Sequence, residues 1–185
     1  MADVVACPTL DHVLKSNECL ENFAGMDPNA YFGLKSDLAE PLVLTDNVYS
    51  EPKFKSGKGL FKIECKDETN KIEGSSLGYR KGFKLTGTSI LESVNKAIAK
   101  LGRGLNNLDL FVIIPDGEDY QIMYDKTRKI KFDADGIKTE TGAAASDERQ
   151  TTLTFTLQPV KYPNMYVTIT DINKLLEGYT PPTGG

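Results

Sequence analysis

The stretch Thr151-Thr-Leu-Thr-Phe-Thr-Leu-Gln158 alternates apolar and hydroxyl-bearing side chains. Leu153, Phe155 and Leu157 fall on one face of an extended chain and the threonines fall on the other, which is typical of a half-buried β-strand. The same alternation recurs, in shorter form, around residues 61–65, 79–86, 120–124, 130–132 and 165–170. Leu108–Ile114 is instead a continuous apolar run, and such runs favour a fully buried strand.

Turn-forming residues separate these segments. Asp67-Glu-Thr-Asn70, Pro115-Asp-Gly117 and Asp125–Arg128 each fall between two predicted strands at hairpin spacing. Because strands do not alternate regularly with helices, a doubly wound parallel sheet is disfavoured. The sequence therefore predicts a mainly β (α+β) fold, an antiparallel β-sandwich or small barrel with one packed amphipathic helix.

The helix is predicted over residues 89–101. Ser89 and Glu92 have the spacing of a capping box, and Gly102 is placed to end the helix. The apolar residues recur at helical spacing, and they are Ile90, Leu91, Val94, Ile98 and Leu101.

Three regions follow from these patterns. Residues 1–52 have weak periodicity and several breakers, so we interpret them as an N-terminal arm or irregular region with a short helix near residues 11–23. Residues 53–178 form the predicted β-sandwich or barrel domain, and residues 179–185 are a loose C-terminal tail. The Gly- and Ala-containing segment 139–147 is predicted to be a flexible connection that becomes ordered on contact with a neighbour.

Charge is distributed unevenly along the chain. The 185 residues carry a net charge of −4, which argues against a general nucleic-acid binder. The net charge is −6 over residues 1–50, +4 over residues 51–84 and −2 over the remainder. These regions are either ordinary solvated faces or complementary halves of a contact between subunits.

Residues with catalytic potential are scarce. His12 is the single histidine, which disfavours histidine-based metal sites and catalytic triads. Cys7, Cys19 and Cys65 are odd in number and irregularly spaced, as expected for reduced cytosolic thiols rather than for a disulfide framework or a zinc site. We therefore expect no enzyme activity, no catalytic residue, no cofactor and no bound metal.

Short motifs do not change this expectation. Gly57-Lys58-Gly59 lacks the first glycine and the final hydroxyl residue of a phosphate-binding loop. Asp133-x-Asp135-Gly136 has its glycine too early for a calcium loop. No apolar run approaches about 18 residues, so no transmembrane helix and no membrane partner are expected.

The remaining hypothesis is assembly through charged and polar surfaces. Basic residues of the middle region, the Arg between two glycines, the acidic 116–119 turn and the charges that follow the Ala-rich segment are the candidates. The predicted interface residues are Lys53, Lys55, Lys58, Arg103, Asp116, Glu118, Asp147 and Arg149.

The stretch Thr141-Gly-Ala-Ala-Ala-Ser-Asp-Glu-Arg-Gln-Thr-Thr-Leu-Thr-Phe-Thr-Leu157 resembles the late part of bacteriophage major tail (tail tube) proteins, in which a Gly/Ala/Asp loop leads into a Thr-rich strand. The layout over residues 53–170 is similar as well, whereas the first 50 residues have no obvious counterpart. The resemblance implies hexameric rings that stack into a tube through which DNA passes. It also implies that hairpins supply an inter-subunit sheet and that long loops join the rings.

On this resemblance we expect a structural virion protein of the tail, assembled in the host cytoplasm, either as tube or as connector ring. Its expected partners are other copies of itself, other tail or head proteins, and phage DNA that passes without specific binding. A capsid-associated decoration or head–tail joining protein is an alternative, and a small non-catalytic ligand-binding domain is another.

Overall fold

The computed structural model describes residues 26–117, 119–143 and 147–179, which form two packed β-sheets and one α-helix. The strands are β1 (Asn29–Leu34), β2 (Leu44–Thr45), β3 (Val48–Tyr49), β4 (Phe61–Glu64), β5 (Lys71–Ser76), β6 (Phe83–Leu91), β7 (Leu110–Asp116), β8 (Asp119–Met123), β9 (Ile137–Glu140), β10 (Gln150–Val160) and β11 (Tyr166–Val167). Helix α1 spans Lys96–Asn107, and single 3-10 turns cover Lys35–Asp37 and Ile172–Leu175. The predicted mainly β fold with one helix is confirmed.

The larger sheet has seven strands in the order β2-β3-β11-β8-β7-β1-β4, and the smaller has four in the order β5-β6-β10-β9. Neighbouring strands are antiparallel except β3 and β11, which are parallel. Hairpins β5–β6 and β7–β8 join strands that are adjacent both in sequence and in space.

The hydrophobic core lies between the two sheets. Phe32 of β1 meets Phe155 of β10 edge to face, with the ring centroids 5.9 Å apart. Strand β7 is buried at every position from Leu110 to Ile114, as its continuous apolar run predicts. In β10, Leu153, Phe155 and Leu157 are buried, so the alternation that predicts the fold does mark the core face.

The helix prediction over residues 89–101 is wrong in position. Ser89 is buried in β6, where it pairs with Leu153 of β10, and it caps no helix. The N-cap is Asn95, whose Oδ1 accepts a hydrogen bond from the Ile98 amide at 2.9 Å. Gly102, expected to end the helix, lies inside it, because α1 continues to residue 107.

The interpretation of residues 1–52 as an arm is also wrong for the part that is described. Strand β1 lies inside the seven-stranded sheet, between β7 and β4, and Tyr31 and Phe32 belong to the core. The strand was hidden because four consecutive residues are buried, so it shows no alternation. Residues 1–25, which include His12 and the predicted short helix, lie outside the described residues, as do residues 180–185.

Candidate assembly surfaces

Three of the predicted interface cations hold a local loop together. Lys53 Nζ lies 2.8 Å from the Glu40 carboxylate, and this hydrogen bond raises the pKa of Lys53. Lys55 Nζ donates to a carbonyl oxygen in the Lys35–Asp37 turn at 2.6 Å, and Lys58 Nζ lies 3.9 Å from a carboxylate of the same turn. The structure therefore gives Lys53, Lys55 and Lys58 partners within the subunit.

Arg149 and Asp147 also make contacts within the subunit. Arg149 Nη2 donates to the Val94 carbonyl at 2.7 Å, just before α1 begins. Asp147 Oδ2 accepts a hydrogen bond from the Ala143 amide at 2.8 Å. Residues 139–140, the beginning of the segment 139–147 predicted to be flexible, belong to β9, which pairs with β10, so that prediction is wrong at its beginning.

Arg103 lies on α1 at the rim of an open groove between the helix and β9. The groove has a volume of about 420 Å³, and its walls include Phe132, Ile137, Asp133 and Asp135. Arg103 is exposed, so the structure brings it beside carboxylates and apolar side chains but not beside the other predicted interface residues.

The acidic turn joins β7 to β8. Asp116 and Asp119 face each other in the register of the two strands, and Glu118, between them in sequence, lies outside the described residues. The Asp116 carboxylate accepts a hydrogen bond from Gln121 Nε2 at 2.7 Å. Gln121 is 8% exposed, and its Oε1 has no hydrogen-bond partner among the described residues.

A pocket adjoins this turn. It has a volume of about 330 Å³ and is lined by Asp119 together with aromatic and aliphatic side chains, which are Val48, Tyr120, Tyr166, Val167 and Ile169, and by Thr168. Burial raises the pKa of Tyr166, and the charges of Asp116 and Asp119 raise it further. The region formed by this pocket and the two aspartates is called the acidic pocket below.

The sequence interpretation missed a basic surface at the turn of hairpin β5–β6. Tyr79 is 84% exposed, and the Arg80 guanidinium lies 5.1 Å from the centre of its ring. The turn is narrow, because Gly78 and Gly82 both adopt positive φ angles, 109° and 82°. An aromatic ring and two cations are therefore presented between glycines.

The end of β10 enlarges this surface. A side chain at Gly82 would meet the Val160 carbonyl at 2.7 Å, so the two segments are in contact. Directly after Val160, Lys161 Nζ lies 5.2 Å from the centre of the Tyr162 ring. The surface, called the basic tip below, consists of Tyr79, Arg80, Lys81, Lys84, Lys161 and Tyr162. Among the described residues no carboxylate lies within 4.0 Å of its four cations.

A sequence signal for the basic tip existed. The run Gly78-Tyr-Arg-Lys-Gly-Phe-Lys84 contains three cations and no acid, whereas the basic residues that precede it are interspersed with glutamates and an aspartate. The summed charge of residues 51–84 concealed that difference.

In the described part of the chain, no group of three or more His, Cys, Asp or Glu side chains is arranged to hold a metal ion. No helix there is long and apolar enough to cross a membrane. Comparison with protein-family models, curated proteins and solved structures gives no match to this chain.

Proposed function

We propose that the chain is a structural subunit that assembles with copies of itself into rings, as the tail tube or a connector ring of a tailed bacteriophage. The observation that carries the proposal is the edge strand β5. Within the described residues β5 pairs with β6 alone, and five of its six residues are exposed.

An edge strand of this length presents unpaired N–H and C=O groups to solvent. Such an edge is a template for a strand from another chain, and proteins that remain monomeric usually keep their edges short or covered. By contrast, the β2 edge of the larger sheet has two residues, and the beginning of the β4 edge is covered where Leu60 pairs with Leu176. Strand addition at β5 would therefore extend the four-stranded sheet from one subunit to the next.

The resemblance of residues 141–157 to tail tube proteins gives this assembly its biological setting. On the proposal the ring is a hexamer, its partners are other tail or head proteins, and it is located in the virion. A net charge of −4 suits a channel that DNA traverses without being bound, because phosphate binding requires accumulated positive charge.

The test is the assembly state of the purified full-length chain over a range of concentrations. Light scattering after size-exclusion chromatography should give a mass that is a multiple of 20.3 kDa, and negative-stain images should show rings or tubes with a central hole. A monomer at every concentration would contradict the proposal. If that monomer bound purified capsids, the decoration or head–tail joining function would replace it.

The groove beside α1 favours a second candidate, a small non-catalytic ligand-binding domain. Its volume of about 420 Å³ and its mixture of Arg103, two aspartates and apolar walls fit a small zwitterionic molecule. Thermal-shift measurements against amino acids and their derivatives test this candidate. A Tm that rises with ligand in the wild type and not in Arg103→Ala would support it.

A further inference from the structure

We propose that subunits join head to tail, with the basic tip of one copy seated against the acidic pocket of the next. The inference rests on the proposed self-assembly and adds the surfaces that would direct it. The partner is therefore a second copy of this chain.

Charge complementarity is the first argument. The basic tip carries four cations without a carboxylate within salt-bridge distance in the described residues. The turn between β7 and β8 carries Asp116, Glu118 and Asp119, and in the described part of the chain no cation lies within 4.0 Å of the two aspartates. Opposite potentials of this kind steer the encounter and determine which surfaces meet.

The shapes and chemistry of the two surfaces also correspond. The basic tip projects an exposed tyrosine beside an arginine, and these are among the residue types that dominate interface energies. The acidic pocket is concave and lined by Tyr120 and Tyr166, so it can cover the Tyr79 ring while Asp119 receives the guanidinium.

The turn that carries Tyr79, Arg80 and Lys81 and the acidic turn lie at opposite ends of β5. The Asn70 side chain, just before β5, donates to the Asp27 carbonyl at 2.8 Å, and the Asp27 amide donates to Pro115, the residue before Asp116. Strand β5 therefore starts beside the acidic turn. It extends over six residues, roughly 20 Å, before the basic tip begins. Two different, complementary surfaces on one subunit generate heterologous contacts, which close into rings or continue as filaments.

The basic tip also narrows the pairing that the summed charges of residues 1–50 and 51–84 suggest. In that pairing, the whole acidic region 1–50 of one subunit would meet the whole basic region 51–84 of the next. Most lysines of the basic region are already engaged within the subunit, for example Lys62 with Glu64 at 3.2 Å and Lys66 with Glu148 at 2.9 Å. Among the described residues 51–84, the cations with neither an ion pair nor a side-chain hydrogen bond are Arg80, Lys81 and Lys84, and all three belong to the basic tip.

A charge-exchange experiment tests the inference. One variant carries Arg80→Glu and Lys81→Glu, and a second carries Glu118→Lys and Asp119→Lys. Each variant alone brings like charges together, whereas an equimolar mixture restores opposite charges at every contact. In sedimentation velocity each variant alone should remain monomeric at a concentration where the wild type is assembled, and the mixture should recover the wild-type species.

A matched control reverses the same number of charges elsewhere. Lys100 and Lys126 are exposed on α1 and on a distant turn, so Lys100→Glu with Lys126→Glu should assemble like the wild type. Circular dichroism establishes that each variant is folded. If the variant with Glu118→Lys and Asp119→Lys is not folded, the milder Asp119→Asn replaces it, and a partial loss of assembly is expected.

The outcomes separate the two proposals. If the wild type and both folded charge variants assemble equally, or if the mixture fails to assemble, the tip-to-pocket contact is overturned while self-assembly stands. If the wild type never assembles, self-assembly itself is overturned.

Discussion

Hairpins β5–β6 and β7–β8 have the same connectivity but opposite surroundings. Strand β7 is buried from Leu110 to Ile114 and lies inside the seven-stranded sheet, whereas β5 is largely exposed at the edge of the four-stranded sheet. The β7–β8 turn is acidic, and the β5–β6 turn is basic and aromatic. The difference separates stability from contact: hairpin β7–β8 is part of the core, and hairpin β5–β6 is available to a neighbour.

Removal of an aromatic ring should have very different effects on stability in the two hairpins. Phe111 of β7 is fully buried; its ring stacks on that of Phe54, with the centroids 6.3 Å apart, and meets the Tyr124 ring edge to face at 5.9 Å. Phe111→Ala should lower the free energy of unfolding by about 3–5 kcal/mol, measured by urea denaturation. Tyr79→Ala, on the exposed turn, should change it by less than about 0.5 kcal/mol. Equal losses in the two variants would contradict the assignment of stability to β7–β8.

A glycine inside β6 tests how hairpin β5–β6 packs on the core. A side chain at Gly87 would lie 2.1 Å from the Phe155 ring, so Gly87→Ala should lower the free energy of unfolding by about 1–3 kcal/mol. Gly104→Ala is the matched control, because its nearest contact is 3.8 Å away and it lies inside α1. Alanine is favoured over glycine inside a helix by about 0.5–1 kcal/mol, so the melting temperature of the Gly104→Ala variant should rise. An unchanged free energy of unfolding in Gly87→Ala would show that β6 does not pack closely on the Phe155 ring.

Removing the buried hydroxyl of Tyr49 should have a smaller effect on the free energy of unfolding, and that effect should depend on pH. Tyr49 Oη donates to the Tyr124 carbonyl at 3.0 Å, and burial, aided by the charge of Asp125, raises the pKa of Tyr49 to about 12. Tyr49→Phe should cost about 1 kcal/mol at neutral pH, because a buried carbonyl loses its donor.

The sign of the pH dependence follows from the raised pKa. Between pH 10 and about 12 the unfolded chain releases the Tyr49 proton and the folded chain retains it, so wild-type stability falls as pH rises. Tyr49→Phe lacks this loss, and the difference between the two proteins should shrink through that range in urea titrations. Tyr79→Phe, which removes a phenol from the exposed turn, is the control for the loss of stability at neutral pH and should have the wild-type stability there. A difference that stays constant with pH would contradict the buried state of Tyr49.

The smallest expected effect concerns the basic tip itself. Reversing Arg80 and Lys81 to glutamate should change the free energy of unfolding of the monomer by no more than about 0.5 kcal/mol, because exposed charges without a carboxylate partner contribute little. Thermal unfolding below the assembly concentration measures this. A large loss of stability would mean that the basic tip is part of the subunit's own packing.

The sequence pattern identified the elements in which one face is buried and the other is not. Strand β10 is such a case, and its Leu153–Leu157 alternation predicts both the strand and its core face. Strand β1 escaped prediction because its middle residues are buried together between two neighbouring strands, which only long-range pairing reveals. The helix was misplaced because Ile90 and Leu91 fit a helical period as well as they fit the end of β6.

The candidate surfaces were only partly predictable. The sequence places Asp116 and Glu118 in a turn, but the pocket beside Asp119 depends on β3 and β11, which are distant in sequence. Lys53 and Lys58 were named for their charge, which the structure shows to be matched within the subunit. Charge can be counted from sequence, whereas the pairing of charges depends on the folded arrangement.

The central claim is that an assembled subunit places its basic tip in its neighbour's acidic pocket. Photo-crosslinking tests it most directly, with Tyr79 replaced by p-benzoyl-phenylalanine in an assembly of mixed ¹⁴N and ¹⁵N subunits. The account predicts mixed-isotope crosslinks from position 79 to peptides that contain Asp119–Tyr120 or Tyr166–Thr168. Crosslinks between subunits that map elsewhere, or an assembly that gives none, would contradict it.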